Sequence, residues 1–168
     1  VDKGDCFAFS KTTAKNFVYS TDVTFKRNQG AATLIFRCNN NLDNKECYAV
    51  NIDGGSHKCK FWRWQENSDY QLIDEKEVKA TDDEKYTLKV VAYDSWISYY
   101  VNDTLIASTG DYTLQKDDKG QSTVLTEGSL GLLNWNGEMT FQNTYYTELN
   151  DQNTPELKNI SVSSSTGD

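Results

Sequence analysis

Short segments in which apolar and polar residues alternate recur along most of the chain. Residues 18–25 (VYSTDVTF) put Val23 and Phe25 on one face and Ser20, Asp22 and Thr24 on the other, the period-two signature of a half-buried strand. After the polar turn Lys26-Arg27-Asn28-Gln29-Gly30, residues 31–37 (AATLIFR) send Ala32, Leu34 and Phe36 one way and Thr33, Ile35 and Arg37 the other. A polar loop over 39–46 leads into a strand at 48–53 (YAVNID). Gly54-Gly55-Ser56 then marks a tight turn into a strand at 58–65 (KCKFWRWQ). Further strands are expected at 70–77, 86–93, 96–101, 105–107, 128–134 and 138–146. Asp94-Ser95, Asn102-Asp103-Thr104 and Asn136-Gly137 supply hairpin turns between neighbours. The acidic stretch Thr81-Asp82-Asp83-Glu84 has room for one turn only, and residues 109–127 read as a long polar surface excursion.

About nine to twelve strands and no long amphipathic helix follow from this pattern. A parallel sheet needs crossover helices of a dozen or so residues, for which there is no space. The expected fold is therefore all-β, a two-sheet antiparallel β-sandwich of jelly-roll, concanavalin-like type. One module is expected over residues 1–149. Residues 150–168, with Pro155 and a Ser-Ser-Ser-Thr-Gly run, read as a linker or the start of a neighbouring module. The chain opens at Val1 without an initiator Met, as a mature secreted protein or an excised module would.

Composition narrows the chemistry. The formal charge of -8 works against bulk attraction to nucleic acid or anionic lipid, and no apolar run approaches the length of a membrane span. A single histidine, His57, excludes a three-histidine metal site and reads as a solvated turn residue. Cys6, Cys38, Cys47 and Cys59 allow two disulfides in three connectivities, which would suit an oxidising environment, or four buried thiols; Cys38 and Cys47 flank a loop that a disulfide could staple. No cofactor is expected. Two Asp-rich segments, residues 43–46 and Asp117-Asp118, have the oxygen chemistry that a structural calcium takes, with solvated charge as the plainer reading. The chain carries no nucleophile elbow, no phosphate loop and no strand pattern presenting paired carboxylates for glycoside hydrolysis.

If Phe25, Phe36, Val50, Ile52, Phe61 and Val90 face the core, the opposite faces carry Asp22, Arg37, Asn51, Asp53, Trp62, Trp64 and Tyr93. Flat rings beside amides, carboxylates and guanidinium suit carbohydrate: rings cover C–H patches while the polar groups pair with hydroxyls. Asp22 and Arg37, read as a pair on neighbouring strands, offer a charged platform, with a plain surface salt bridge as the bland alternative. Trp135, beside the Asn136-Gly137 turn, is placed to line a pocket rim or to fold over the sandwich edge.

The blocks Phe17-Val18-Tyr19, Asp22-Val23-Thr24-Phe25, Ala31-Ala32 to Phe36-Arg37, and Tyr48 with Asn51-Ile52-Asp53 resemble carbohydrate-binding module family 66. So do the Tyr86-to-Val91 block, Val101-Asn102-Asp103, Gly131-Leu132, Trp135-Asn136-Gly137 and Thr140-Phe141-Gln142-Asn143; together they cover about residues 5–148 in order. The resemblance implies a concanavalin-like sandwich that binds fructan without cleaving it, holding the terminal non-reducing fructosyl unit of levan in a small pocket. It implies a secreted or cell-surface monomer, covalently linked to a glycoside hydrolase acting on levan or inulin and binding neither nucleic acid nor membrane. It places Asp22 and Arg37 on the pocket face and extends to Asp53, Trp62 and Trp135. This chain departs from the family at Ser20-Thr21, where the block typically reads Tyr-Glu-Ala-Asp, in the loop between Cys38 and Cys47, and in the excursion over 113–127. A sandwich adhesin, or a module for a different glycan, is the alternative, since fold alone does not select the ligand.

Overall fold

The computed structural model describes residues 6–27, 30–39, 46–65, 71–108, 118–119, 125–150 and 152. Eleven strands run through them: β1 (Cys6–Ala14), β2 (Phe17–Arg27), β3 (Ala31–Asn39), β4 (Glu46–Asp53), β5 (Lys58–Gln65), β6 (Gln71–Glu77), β7 (Lys85–Tyr93), β8 (Trp96–Val101), β9 (Thr104–Ser108), β10 (Gly128–Trp135) and β11 (Glu138–Glu148). They form a six-stranded sheet in the order β1-β10-β3-β4-β5-β6 and a five-stranded sheet in the order β11-β2-β7-β8-β9. Every pairing is antiparallel. The fold is thus the two-sheet antiparallel sandwich of jelly-roll, concanavalin-like type that the alternation anticipates. The Thr81–Glu84 stretch is a turn and no helix.

The inward sets are the expected ones. Phe25, Phe36, Val50, Ile52, Phe61 and Val90 all lie in one core between the sheets. At its centre, Phe36 sits 5.6 Å from Tyr48 and 6.2 Å from Phe61, ring centroid to centroid. Complete burial of each such ring stabilises by about 1.5–3 kcal/mol. Two tyrosines tie the sheets together through that core. Tyr19 on β2 donates a 2.8 Å hydrogen bond to the Gly131 carbonyl on β10, and Tyr99 on β8 donates one of 2.8 Å to the Asn51 carbonyl on β4. Burial pushes both phenols well above their ordinary range, so both stay protonated donors. Tyr100, the neighbour of Tyr99, faces the other way into a satellite cluster with Val91 and Leu149.

Three features depart from the expectations of the sequence. Strand β1 has no clear alternation to announce it: its register against β10 shifts between Phe9 and Thr13, where the run Ser10-Lys11-Thr12-Thr13 breaks the pattern. Strands β2 and β3, although consecutive, belong to different sheets, so Asp22 and Arg37 are not cross-strand neighbours. The third departure is a bulge in β3. Phe36 pairs with Tyr48 and Asn39 with Glu46, so Arg37 and Cys38 together oppose Cys47. Arg37 takes a left-handed conformation there, φ 49°, and the alternation changes phase. Among the cysteines whose side chains are described, Cys38, Cys47 and Cys59 are buried thiols outside any disulfide. Most of the excursion over 109–127, most of 150–168, and residues 43–45 and Asp117 of the two Asp-rich segments lie outside the described residues.

Candidate functional site

The outer face of the six-stranded sheet carries a cavity of about 270 Å³, lined by Ala31 and Thr33 on β3, Ala49, Asn51 and Asp53 on β4, Lys60 and Trp62 on β5, and Leu133 and Trp135 on β10. Strand register explains this set. Leu133, Thr33, Asn51 and Lys60 form one row across four strands, each directly opposite the next. Trp135, Ala31 and Asp53 form the row beside it, while Ala49 pairs with Trp62. Small side chains in the middle of the sheet make the hollow. The two indoles stand on strands three spacings apart, roughly 14 Å at the usual strand separation, and wall it on opposite sides.

The polar groups are placed by local chemistry. Asp53 ends β4, and its Oδ1 accepts the backbone N–H groups of Gly55 at 2.8 Å and Ser56 at 3.1 Å, an Asx turn that fixes the carboxylate. Its Oδ2 lies 3.7 Å from Lys60 Nζ. The same ammonium stands 5.5 Å from the Trp62 ring centroid, so one lysine bridges the acid and the indole. Asn51 is only 9% exposed, and its Oδ1 is buried with no hydrogen-bond partner among the described residues. An acceptor left unsatisfied in this way costs about 1–3 kcal/mol, which a ligand hydroxyl entering the cavity would recover.

Trp135 is half exposed, at 50%, on the rim. Asn134 braces the turn that follows: its Nδ2 donates to the Gly137 carbonyl at 2.8 Å and its Oδ1 accepts the Gly137 N–H at 3.2 Å. Gly30, at φ 79°, packs flat against this turn, since a Cβ there would lie 2.3 Å from the Trp135 carbonyl oxygen. The Gly30 carbonyl accepts the Gly54 N–H at 2.9 Å, which ties a third turn to the same end of the sheet.

Of the sequence-derived candidates, Asn51, Asp53, Trp62 and Trp135 are brought together here. Trp64 lies one row further along β5 on the same face, half-buried against the cluster of Ile35, Cys38 and Cys47. The other three lie elsewhere. Arg37 is fully buried, donating to the carbonyls of Lys15 (2.8 Å), Asp94 (2.7 Å) and Leu125 (3.0 Å). The bulge turns it away from the cavity and makes it a clamp on three separate chain segments. Asp22, on the five-stranded sheet, accepts from Thr87 Oγ1 at 2.6 Å and Asn143 Nδ2 at 2.9 Å, with Lys85 at 3.9 Å. Those bonds, Asn143 first, hold its carboxyl below the usual range. Tyr93 packs with Val91, Tyr100 and Leu149 on that same sheet. Lys60 is a lining residue that the sequence reasoning missed, although its spacing of two from Trp62 puts it on the same face. Ala31, Thr33, Ala49 and Leu133 carry no comparable signal, because small and aliphatic residues form a hollow only once the strand order is known.

His57 sits half-buried in the β4–β5 turn at φ 55°. Among the described residues, no group of three or more His, Cys, Asp or Glu side chains is placed to hold a metal ion, and no helix is long and apolar enough to cross a membrane.

Residues 1–146 match the family described as 3-keto-alpha-glucoside-1,2-lyase-like domain. The chain is 62% identical over 167 residues to a fructan beta-fructosidase of Streptococcus mutans, a match covering 99% of this chain and 12% of that protein. It is 30% identical over 142 residues to a levanase of Bacillus subtilis, covering 83% of this chain and 19% of that one. The chain therefore spans less than a fifth of the length of either relative. Among solved structures, the carbohydrate-binding module CBM66 of Bacillus subtilis superposes with a TM-score of 0.72 at 29% identity, over 88% of this chain and 84% of that one.

Proposed function

For a chain that belongs to the 3-keto-alpha-glucoside-1,2-lyase-like domain family, and that is homologous in sequence and structure to levanase-type family 66 carbohydrate-binding modules, we propose a non-catalytic role. The module binds fructan and keeps an attached fructan-active glycoside hydrolase on its polymer. The cavity on the outer face of the six-stranded sheet is the proposed site, and a terminal fructosyl unit, of levan or inulin, its proposed occupant.

The observation that carries this reading is the buried Oδ1 of Asn51, without a partner among the described residues, at the floor of a hollow flanked by two indoles. A furanosyl unit offers what those groups need. One hydroxyl donates to Asn51, neighbouring hydroxyls bridge the Asp53 carboxylate and the Lys60 ammonium, and the exocyclic CH₂ groups and ring C–H bonds pack against Trp62 and Trp135. A cavity of about 270 Å³ is just below the size that encloses drug-like ligands, which suits one or two sugar units and not a long stretch of chain. Among the described lining residues Asp53 is the sole carboxylate, and it is engaged by Lys60; glycoside hydrolysis uses two carboxyl groups about 5–9.5 Å apart across the bond. That supports binding over cleavage.

Tethering would raise the local concentration of the linked enzyme at its polymer without any further contact. The proposed setting is outside the cell, as a monomeric module. In this reading Asn51, Asp53, Lys60, Trp62 and Trp135 touch sugar, while Asp22, Arg37 and Tyr93 support the scaffold. Isothermal titration with levan, inulin and free fructose tests the proposal. Saturable heat with a fructan, weakened by Asn51→Ala and Trp135→Ala, is expected. No heat with any fructan at millimolar sugar in a folded sample would overturn it.

A further inference from the structure

The bulge that turns Arg37 inward has a second product. Because Arg37 and Cys38 together oppose Cys47, the change of phase carries Cys38 onto the outer face, beside Cys47. The two thiols pack in one small cluster with Ile35, edged by Trp64 and Leu133. The two thiols stand within hydrogen-bonding reach of each other across adjacent strands, the kind of approach that the roughly 4.4–6.8 Å Cα separation of a disulfide requires. Without the bulge, residue 37 would occupy the outward position and Cys38 would point to the opposite face.

We propose that Cys38 and Cys47 close into a disulfide when the protein folds in an oxidising medium, stapling the polar segment between them. The pair is reduced in this structure. The Cys38 thiol donates a weak 3.9 Å contact to the Asn39 carbonyl. Its hydrogen bond with Cys47, together with burial, pushes the Cys47 thiol far above the ordinary range. A buried thiol held protonated is a poor nucleophile, so the bond forms during folding, before Ile35, Trp64 and Leu133 close over the sulfurs. The oxidant is a low-molecular-weight disulfide such as oxidised glutathione. One cysteine thiolate attacks it and releases one small thiol. The second cysteine thiolate then attacks the mixed disulfide and releases the other. The two protein thiols are oxidised by two electrons to one S–S bond, the small disulfide is reduced to two thiols, and the two cysteine protons end on them. Cys59 lies in the core between the sheets, apart from this pair, and stays a thiol.

The test refolds the reduced, denatured protein in a glutathione redox buffer, blocks remaining thiols with an alkylating agent and digests without reductant. The expected product is one peptide pair linked through Cys38 and Cys47 and lighter by two hydrogen atoms than the separate thiols. Closing so short a loop should raise the melting midpoint by about 5–10 °C over the same protein kept in reductant. Cys47→Ser should abolish both the link and the redox-dependent shift, while Cys59→Ser should keep both. Recovery of Cys38 and Cys47 as alkylated thiols, or their linkage to Cys6 or Cys59, overturns the proposal. The shift between oxidised and reduced wild-type protein stands as a readout even if a variant fails to fold, and its absence overturns the proposal as well.

Discussion

Tyr99 holds Asn51 from beneath. The fully buried phenol donates a 2.8 Å hydrogen bond to the Asn51 backbone carbonyl, while Oδ1 of the same asparagine, buried on the cavity side, has no partner among the described residues. One residue is thus anchored in the core through its backbone and left open to a ligand through its side chain. Pre-positioning of this kind lowers the ordering cost of binding.

The first expectation concerns that side chain. Asn51→Ala should weaken fructan binding by about 5- to 30-fold, the worth of one well-placed hydrogen bond in a buried site. It should leave the melting midpoint unchanged or slightly raised, because it removes an unsatisfied buried acceptor. Titration calorimetry and thermal melts on one preparation separate the two effects. A large loss of stability would mean that Asn51 has a structural role.

Trp135 and Trp62 should behave differently from each other. Trp135 is half exposed, so Trp135→Ala should lower affinity about tenfold or more at a stability cost below about 1 kcal/mol. Trp62 is more deeply set beneath the Lys60 ammonium, and Trp62→Ala should lower both affinity and stability. Equal stability costs in chemical denaturation would contradict this difference.

Arg37 should matter for folding and little for sugar contact. Arg37→Met removes the part-buried hydrogen bonds that a charged guanidinium donates to three carbonyls, each worth about 1.5–3 kcal/mol. The expected loss is at least about 3 kcal/mol, read as a fall in denaturation midpoint, with ligand affinity of the folded fraction preserved. A variant of normal stability that no longer binds would restore Arg37 as a contact residue.

Gly30→Ala should disturb the rim. A Cβ there meets backbone atoms of Trp135, Asn136 and Gly137 at 2.3–2.6 Å, and φ 79° is strained for alanine. A destabilisation above about 1 kcal/mol is expected, with weaker binding as the Trp135 turn is pushed away. Unaltered affinity and stability would show that the two turns pack less tightly.

Acid stability should depend on Asp22. Its carboxyl is held below the ordinary range by Asn143 and then Thr87, so folding favours the ionised form. The stabilisation is complete above the unfolded value near about 3.9 and is lost as pH falls through the lower folded value. Asp22→Asn should therefore narrow its stability gap from wild type as pH drops from about 5 to below 3. A gap that stays constant across that range in pH-dependent melts would exclude the linkage.

Much of this protein is written in local alternation. A period of two states which residues of a strand share a face, so the core set around Phe36 and Phe61 and the outward placement of Asn51, Asp53 and Trp62 are legible in the order of residues alone. The sum of strands without helices is enough for a sandwich. Alternation carries no information about which strands become neighbours, because pairing joins residues far apart in the chain. Only the tertiary structure set β10 beside β3, bringing Trp135 against Ala31, and sent β2 and β3 to opposite sheets, separating Asp22 from Arg37. A single inserted residue is equally silent in sequence. The β3 bulge reverses the face of everything after it, burying Arg37 under three carbonyls and setting Cys38 against Cys47, because a strand of period two turns over when its register slips by one.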